Sequence, residues 1–150
     1  MDNFLTQLRV LSDMLDKKKA LLEQIMSITE NQENILLSPH AETDEGAMFF
    51  NGLNAEKQKL IELVLDSDTL FQNLFDSIKT EFETKAHEYK DEVDLLKEGI
   101  KEVVETDSKI RIREEKNRMI LEKTKSRVKP LISATNKKHV LNQYKKNKNF

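Results

Sequence analysis

Histidines and carboxylates are the side chains in this sequence that could perform acid–base catalysis or bind a metal ion. Their spacing predicts neither an acid–base site nor a metal site. The three histidines, His40, His87 and His139, lie far apart, and no His-x-x-x-His or Glu-x-x-His pair places two ligands on one helix face. Paired carboxylates such as Glu81 and Glu83 fall among other charged residues, which predicts a solvated helix face. Cysteine is absent, so no thiolate or disulfide can form. We expect a protein that is not an enzyme and holds no metal or other cofactor.

The composition is typical of a helical protein with a narrow core. Charged residues make up 35% of the chain and hydrophobic residues 37%, with only 3 Gly and 2 Pro to interrupt helices. No apolar run approaches the roughly 20 residues that a membrane-spanning helix needs. Asp2 and Asn3 follow Met1, where a signal peptide would place basic and then apolar residues. We therefore expect no membrane span, no signal peptide and a cytoplasmic location.

One amphipathic stripe dominates the sequence between about Lys57 and Val104. Its apolar members recur at three- and four-residue steps, which places them on one side of an α-helix, whereas a strand would require alternation. The members are Leu60, Val64, Phe71, Phe75, Ile78, Phe82, Tyr89, Val93, Leu96, Ile100 and Val103. At a rise of 1.5 Å per residue, the stripe predicts a continuous helix roughly 70 Å long. We expect its aromatic residues to be core and the molecule to be elongated.

An earlier helix is predicted from about Phe4 to Leu37. Its seam is interrupted by Lys18, Thr29 and Gln32, which argues against a strict two-stranded coiled coil. The seam consists of Phe4, Leu8, Leu11, Leu15, Leu22, Ile25 and Leu36, and a second row at seven-residue intervals consists of Met14, Leu21, Ile28 and Ile35. Together the two rows make a stripe wide enough to contact two partner helices.

Two stretches are predicted to separate the helices. Residues 38–54 contain Pro39, Gly46 and Gly52, so we expect a polar loop there. The apolar trio at positions 48–50 should not stay in water, and it either starts the next helix or caps the end of the seam. The cluster of small polar residues at 105–108 is expected to form the next turn, with Ser67-Asp68 as a weaker alternative. The last helix would then run from about Lys109 to residue 129, before Pro130.

These patterns predict an all-α fold. We expect an elongated antiparallel helical bundle of three long helices, at about 4–37, 53–104 and 109–129, in which the last helix is loosely held. The bundle would occupy residues 1–129, and residues 130–150 would form a flexible basic tail.

The charge is divided between the two parts of the chain. Residues 1–108 carry 11 Lys and Arg against 24 Asp and Glu, a net charge of −13, whereas residues 109–150 carry 14 against 3, a net charge of +11. The basic end could fold back on the acidic body or bind an acidic partner. A tail with Lys, Tyr144 and Phe150 could also bind nucleic acid, but its few arginines and the acidic body make this the less favoured hypothesis.

Two stretches resemble the FlgN/FliT-like flagellar export chaperones, which are small all-helical cytoplasmic proteins that escort late flagellar subunits. The first is the helix near the N-terminus, and the second is a Leu, Glu-Lys, Leu-Ile pattern at 53–61. The residues that carry the resemblance are Leu8, Leu11, Leu15, Lys19, Leu22 and Ile25, then Leu53-Asn54-Ala55-Glu56-Lys57-Gln58-Lys59-Leu60-Ile61, Leu65-Asp66 and Phe71. Asp107-Ser108-Lys109-Ile110-Arg111 and Glu115-Lys116-Asn117 are similar to the segment before the family's C-terminal region.

The resemblance implies a type III flagellar export chaperone. Such a protein binds the helical terminal segments of hook-junction or filament-cap proteins and delivers them to the export apparatus, without a small-molecule substrate. The family's substrate contacts lie mainly toward the C-terminal end. The matching partner-binding residues here are Ile110, Met119, Ile120, Leu121 and Val128, extending to Val140, Leu141 and Tyr144.

A competing hypothesis is a structural or adaptor coiled coil that homodimerises through the same stripe. Salt-sensitive self-association would favour the homodimer, whereas a monomer that gains helix with a partner would favour the chaperone. Nucleic-acid binding through the tail instead predicts an affinity that falls steeply with salt.

Overall fold

A computed structural model describes residues 3–124, and within them the chain is helical and contains no strand. The all-α prediction is therefore confirmed. The helices are α1 (Asn3–Leu36), α2 (Asp44–Lys85) and α3 (Lys90–Thr124), joined by 3₁₀ turns at Pro39–Glu42 and Ala86–Tyr89. None of the helices in this range is long and apolar enough to cross a membrane. The predicted tail at 130–150 lies outside the described residues.

The predicted continuous helix over 53–104 is wrong, because the chain reverses at Ala86–Tyr89. No glycine or proline marks this turn, and the apolar spacing passes through it unbroken. Phe82 and Tyr89 both contact Phe4, with ring centroids 6.1 and 5.7 Å away. Reversal brings α3 alongside α1, so that apolar residues from both halves of the stripe join those of α1 in one core.

The predicted turn at 105–108 is also wrong, because these residues lie inside α3. The Thr106 hydroxyl donates to the carbonyl oxygen of Glu102 at 2.9 Å, so it bonds along the helix instead of capping a new one. Asp107 is buried at a seam position. The last helix therefore begins at residue 90 instead of 109, and its first half carries the apolar residues that hold it.

The α1–α2 connection is shorter than predicted, because α2 begins at Asp44 instead of 53. Thr43 caps α2, since its hydroxyl accepts from the Gly46 backbone N–H at 3.0 Å. The apolar trio at 48–50 was expected to be covered, yet only Phe50 is buried. Met48 is 75% exposed and Phe49 62% exposed.

The order of contacts defines the arrangement of α1 and α2. Phe4, at the start of α1, packs on Phe82 near the end of α2. Gln32, near the end of α1, donates to Asn54 near the start of α2 at 2.5 Å. The two helices are therefore antiparallel.

The third helix runs parallel to α1. Arg113, in the second half of α3, donates to Glu33 in the last turns of α1 at 2.8 Å. Further up, Gly99 faces Leu15 so closely that a Cβ at position 99 would lie 3.1 Å from the leucine Cδ1. α1 thus packs against both other helices, in agreement with the width predicted for its stripe.

The interior is a long apolar core followed by a short one. All three helices bury residues at three- and four-residue steps, which is the spacing of knobs-into-holes packing. The long core consists of Phe4, Leu8, Leu11, Leu15, Leu22, Ile25, Ile61, Val64, Phe71, Phe75, Ile78, Phe82, Val93, Leu96, Ile100, Val103 and Ile110. The short core consists of Leu36 and Phe50, with Ile35, Ala47, Ile120 and Leu121 packed against them.

Buried polar side chains separate the two cores. Lys57 forms an ion pair with Glu114 of α3 and also donates to Thr29 at 3.3 Å and to Gln32. The Asn117 amide donates to the carbonyl oxygen of Thr29 at 3.1 Å. The interruptions seen in the sequence of α1 are therefore seam positions whose polar groups are paired across all three helices.

Candidate functional site

The most apolar surface among the described residues lies along α1 and α2. In α1, the apolar residues that recur every seven positions from Met14 lie beside the seam. In α2, a matching row of apolar residues lies beside the seam on the side that faces α1. At the turn end the two rows meet at a shallow pocket of about 640 Å³, which Ile35 and Phe49 line together with polar residues such as His40 and Glu45. We call this surface the α1–α2 apolar face. It comprises Met14, Leu21, Ile28 and Ile35 of α1 and Phe49, Leu53, Leu60, Leu63, Leu70 and Leu74 of α2, with Val10 at one edge.

The inner residues of the face are partly buried and the outer ones are largely exposed. Leu60 and Leu74 pack against the long core from beside the seam. Leu63, Leu70 and Phe49 form the outer row, and they are 52%, 61% and 62% exposed. At 1.5 Å per residue, the stretch from Phe49 to Leu74 is roughly 38 Å long. A surface of this shape could accept several turns of one more helix.

Charged groups are sparse on this face. Lys17 of α1 and Glu56 of α2 are the charged side chains on its rows between residues 10 and 35 and between residues 49 and 77. The opposite side of α1 differs, because Lys19 pairs with Glu102 there at 3.1 Å and Glu33 pairs with α3. Depletion of charge at the centre of an apolar patch is the compositional signal of a protein–protein interface.

The predicted partner-binding residues fall into three groups. Ile110 belongs to the long core and supports the packing of α3. Ile120 and Leu121 are partly buried against the short core, whereas Met119 is 46% exposed. The other four predicted residues, Val128, Val140, Leu141 and Tyr144, lie outside the described residues. Of the predicted partner-binding residues on α3, Met119 is thus the one whose side chain is exposed.

The sequence reading missed the outer row of α2. The spacing 49, 53, 60, 63, 70 and 74 fits the same three- and four-residue steps as the core, with Glu56 and Ser67 at the two intervening positions. This signal was available, but two apolar stripes overlap on α2, and Leu60 was assigned to the core stripe. In the structure the seam passes through the neighbouring residue, Ile61.

Residues 3–124 include two of the three histidines. Within residues 3–124, no cluster of three or more His, Asp or Glu side chains could hold a metal ion. His40 lies in the first turn and His87 in the second, at opposite ends of the bundle. Hydrogen bonds from Lys116 and Arg113 hold the pKa of Glu33 below its ordinary value, which is the signature of a structural ion pair.

No family model matches this sequence, and no curated protein or solved structure matches it either. The likeness to FlgN/FliT-like chaperones therefore rests on the residues quoted for it above. The structure adds the α1–α2 apolar face, and within residues 3–124 it shows no cluster of side chains that could hold a metal ion.

Proposed function

We propose that the protein is a non-catalytic binding protein that takes a helical segment of another protein onto the α1–α2 apolar face. The observation that carries the proposal is the exposed outer row of α2, in which Leu63, Leu70 and Phe49 stand at helical spacing beside a groove. A partner helix with its own apolar stripe would complete a fourth layer of the bundle.

The resemblance supports a more specific form of this proposal. A type III flagellar export chaperone would use the face to cover the terminal helices of hook-junction or filament-cap proteins in the cytoplasm before export. Such helices bury apolar stripes once they assemble, so they need a temporary cover beforehand. An elongated antiparallel bundle with one uncovered face suits that task, because it offers a helix-length surface.

The expected binding energy is modest. The three outer residues of α2 each leave more than half of their surface in water, and covering them contributes roughly 1 kcal/mol apiece. The partner's own apolar side chains contribute a similar amount, and ordering the bound segment opposes both. These terms total about 6 kcal/mol before that cost, so an affinity between roughly 40 μM and 1 mM is the expected range, which suits a cargo that must later be released.

Co-purification from cells that contain the candidate flagellar proteins tests this proposal. We expect the full chain to retain a hook-junction or filament-cap protein, and Leu70→Glu to reduce retention at least tenfold, because binding would bury its carboxylate. The matched control is Leu95→Glu on α3, since Leu95 is 63% exposed and lies off the face. Circular dichroism checks that both variants keep their helical content.

Two outcomes would contradict the proposal. One is that the full chain retains none of these proteins, and the other is that Leu70→Glu and Leu95→Glu reduce retention equally. If the full chain is instead a salt-sensitive dimer that Leu70→Glu dissociates, the same face joins two copies and the homodimer hypothesis replaces the chaperone.

A further inference from the structure

A second groove runs along the other side of α1, between α1 and α3. It has a volume of about 640 Å³, and Met26 and Ile112 supply its apolar lining. Ile112 is 72% exposed, although it is a large β-branched side chain. Met119 lies one heptad further along α3 and extends the apolar row toward the helix end.

Ion pairs between α1 and α3 close the groove at both ends. Lys19 donates to Glu102 at 3.1 Å above it. Below it, Glu33 accepts from Arg113 and from Lys116, each at 2.8 Å. These ion pairs join α1 and α3 on either side of the groove.

The two walls of the groove carry opposite charges. The α1 wall presents Glu23 and Glu30, which are seven residues apart and therefore lie in one row. The α3 wall presents Lys109, together with the two cations that Glu33 holds. Glu23, Glu30 and Lys109 are exposed, and none of them forms a salt bridge with another residue of the 3–124 range. Glu23 also attracts Lys19 of its own helix, whereas Glu30 and Lys109 have no ion-pair partner within residues 3–124.

We propose that this groove binds an amphipathic helix of a partner protein whose two flanks carry opposite charges. A narrow apolar stripe would lie on Met26 and Ile112, a basic flank along Glu23 and Glu30, and an acidic flank along Lys109. Charge complementarity of this kind selects partners and sets their orientation. Because reversing a helix exchanges its flanks, the opposite walls also determine the direction in which it binds.

The inference is independent of the α1–α2 apolar face. The two surfaces lie on different sides of α1, so one can be occupied while the other is empty. Occupation of both would make the protein a bridge between an apolar helix on one side and a charged helix on the other.

Three designed helical peptides with the same leucine stripe test the groove. One carries a lysine flank and a glutamate flank, one carries lysine on both flanks, and one carries glutamate on both flanks. Fluorescence anisotropy with the full chain at low salt should show the mixed peptide binding roughly tenfold more tightly than either of the others.

Charge reversal on α1 provides the decisive comparison. In Glu23→Lys/Glu30→Lys both walls are basic, so the peptide with two glutamate flanks should become the tightest. The matched control is Glu62→Lys/Asp66→Lys, which reverses two exposed acidic residues on α2 and should leave the mixed peptide preferred. Equal affinity for the three peptides, or a preference that Glu23→Lys/Glu30→Lys does not change, would overturn the assignment. The leucine stripe of the peptides also fits the α1–α2 apolar face, so the series is repeated with Leu70→Glu, in which the preference for the mixed peptide should persist. Loss of that preference in Leu70→Glu would overturn the assignment to the groove.

Discussion

The buried polar side chains are placed where they specify the packing more than they stabilise it. Lys57 and Glu114 lose their hydration in the interior, and their mutual attraction together with the bonds to Thr29 and Gln32 offsets that loss. A shift of either helix by one turn would bury one of these charges against an apolar neighbour. Such layers fix the register of coiled coils, so we expect them to align the three helices here.

The same principle applies to Lys18, where it has a consequence for pH dependence. Burial lowers the pKa of Lys18 from 10.5 to about 8, against the attraction of Asp68 and Asp107. Between pH 8 and 10.5 the unfolded chain therefore binds more protons at this residue than the folded chain does. The contribution of Lys18 to the free energy of unfolding therefore rises with pH across that window. Below pH 8 the buried Lys18 is charged in the folded protein, so the full cost of removing its charge from water is present.

Lys18 of α1 forms a buried ion pair with Asp68 of α2. We therefore predict a pH-dependent difference between the wild type and Lys18→Met/Asp68→Leu, which removes both members of this pair. From pH 7 to 10.5 the free energy of unfolding of the wild type should rise, relative to the variant, by an amount on the order of 3 kcal/mol. Urea unfolding at several pH values measures both proteins. Parallel curves for the two proteins would contradict the lowered pKa.

At the scale of the elements, α2 is the helix that carries two apolar stripes. Its seam residues, such as Ile61 and Val64, are buried, and its outer row, such as Leu63 and Leu70, is not. Only the seam residues of α2 pack in the core, so folding does not explain why the outer row is apolar. The cost of exposing it is consistent with a helix selected for binding as well as for packing.

Two glycines of α2 allow a prediction about its packing. A Cβ at Gly52 would have no atom within 4 Å, so Gly52→Ala should stabilise the protein by about 1 kcal/mol through helix propensity. A Cβ at Gly46 would lie 1.9 Å from the His40 carbonyl oxygen, so Gly46→Ala should destabilise it by roughly 1–3 kcal/mol. Urea unfolding of both variants checks the signs, and shifts in the same direction would contradict the geometry of the turn.

At the scale of the whole molecule, the fold-back at Ala86–Tyr89 decides which surfaces exist. It brings α3 beside α1, and this creates the charged groove and leaves the outer row of the α1–α2 apolar face exposed among residues 3–124. Truncation after residue 108 would cut α3 and remove the buried residues Ile110, Glu114 and Asn117. Point variants on the surfaces are for this reason better probes of binding than truncations.

Distance measurements between spin labels can test the fold-back directly. Asp66→Cys and Glu105→Cys place labels on the exposed sides of α2 and α3, in a chain without native cysteine. The two helices lie side by side, so we expect a separation under about 30 Å. A continuous helix would instead place the labels roughly 60 Å apart. The pair Lys59→Cys/Thr80→Cys, which lies within α2 in either case, serves as the internal control at roughly 32 Å.

Several features follow from the sequence by itself. Helical content, the seam of α1 and the width of its stripe depend on spacing within a few turns, and the structure agrees with all three. Lys18, Thr29 and Gln32 were identified as interruptions of the seam by the same local rule. The spacing of Phe49, Leu63 and Leu70 also marks the outer row of α2 in the sequence, although the predicted stripe includes none of these three residues.

Only the tertiary structure decided where the chain reverses and which polar groups meet. No local signal marks residues 86–89, and the polar cluster at 105–108 is a plausible turn until Asp107 is seen to be buried. The turn lies where reversal lets both halves of the stripe pack against α1, and this depends on contacts between residues far apart in the chain. The same holds for Lys57 and Glu114, and for the face that remains uncovered. Periodicity states which side of a helix is apolar, but packing alone decides what covers that side.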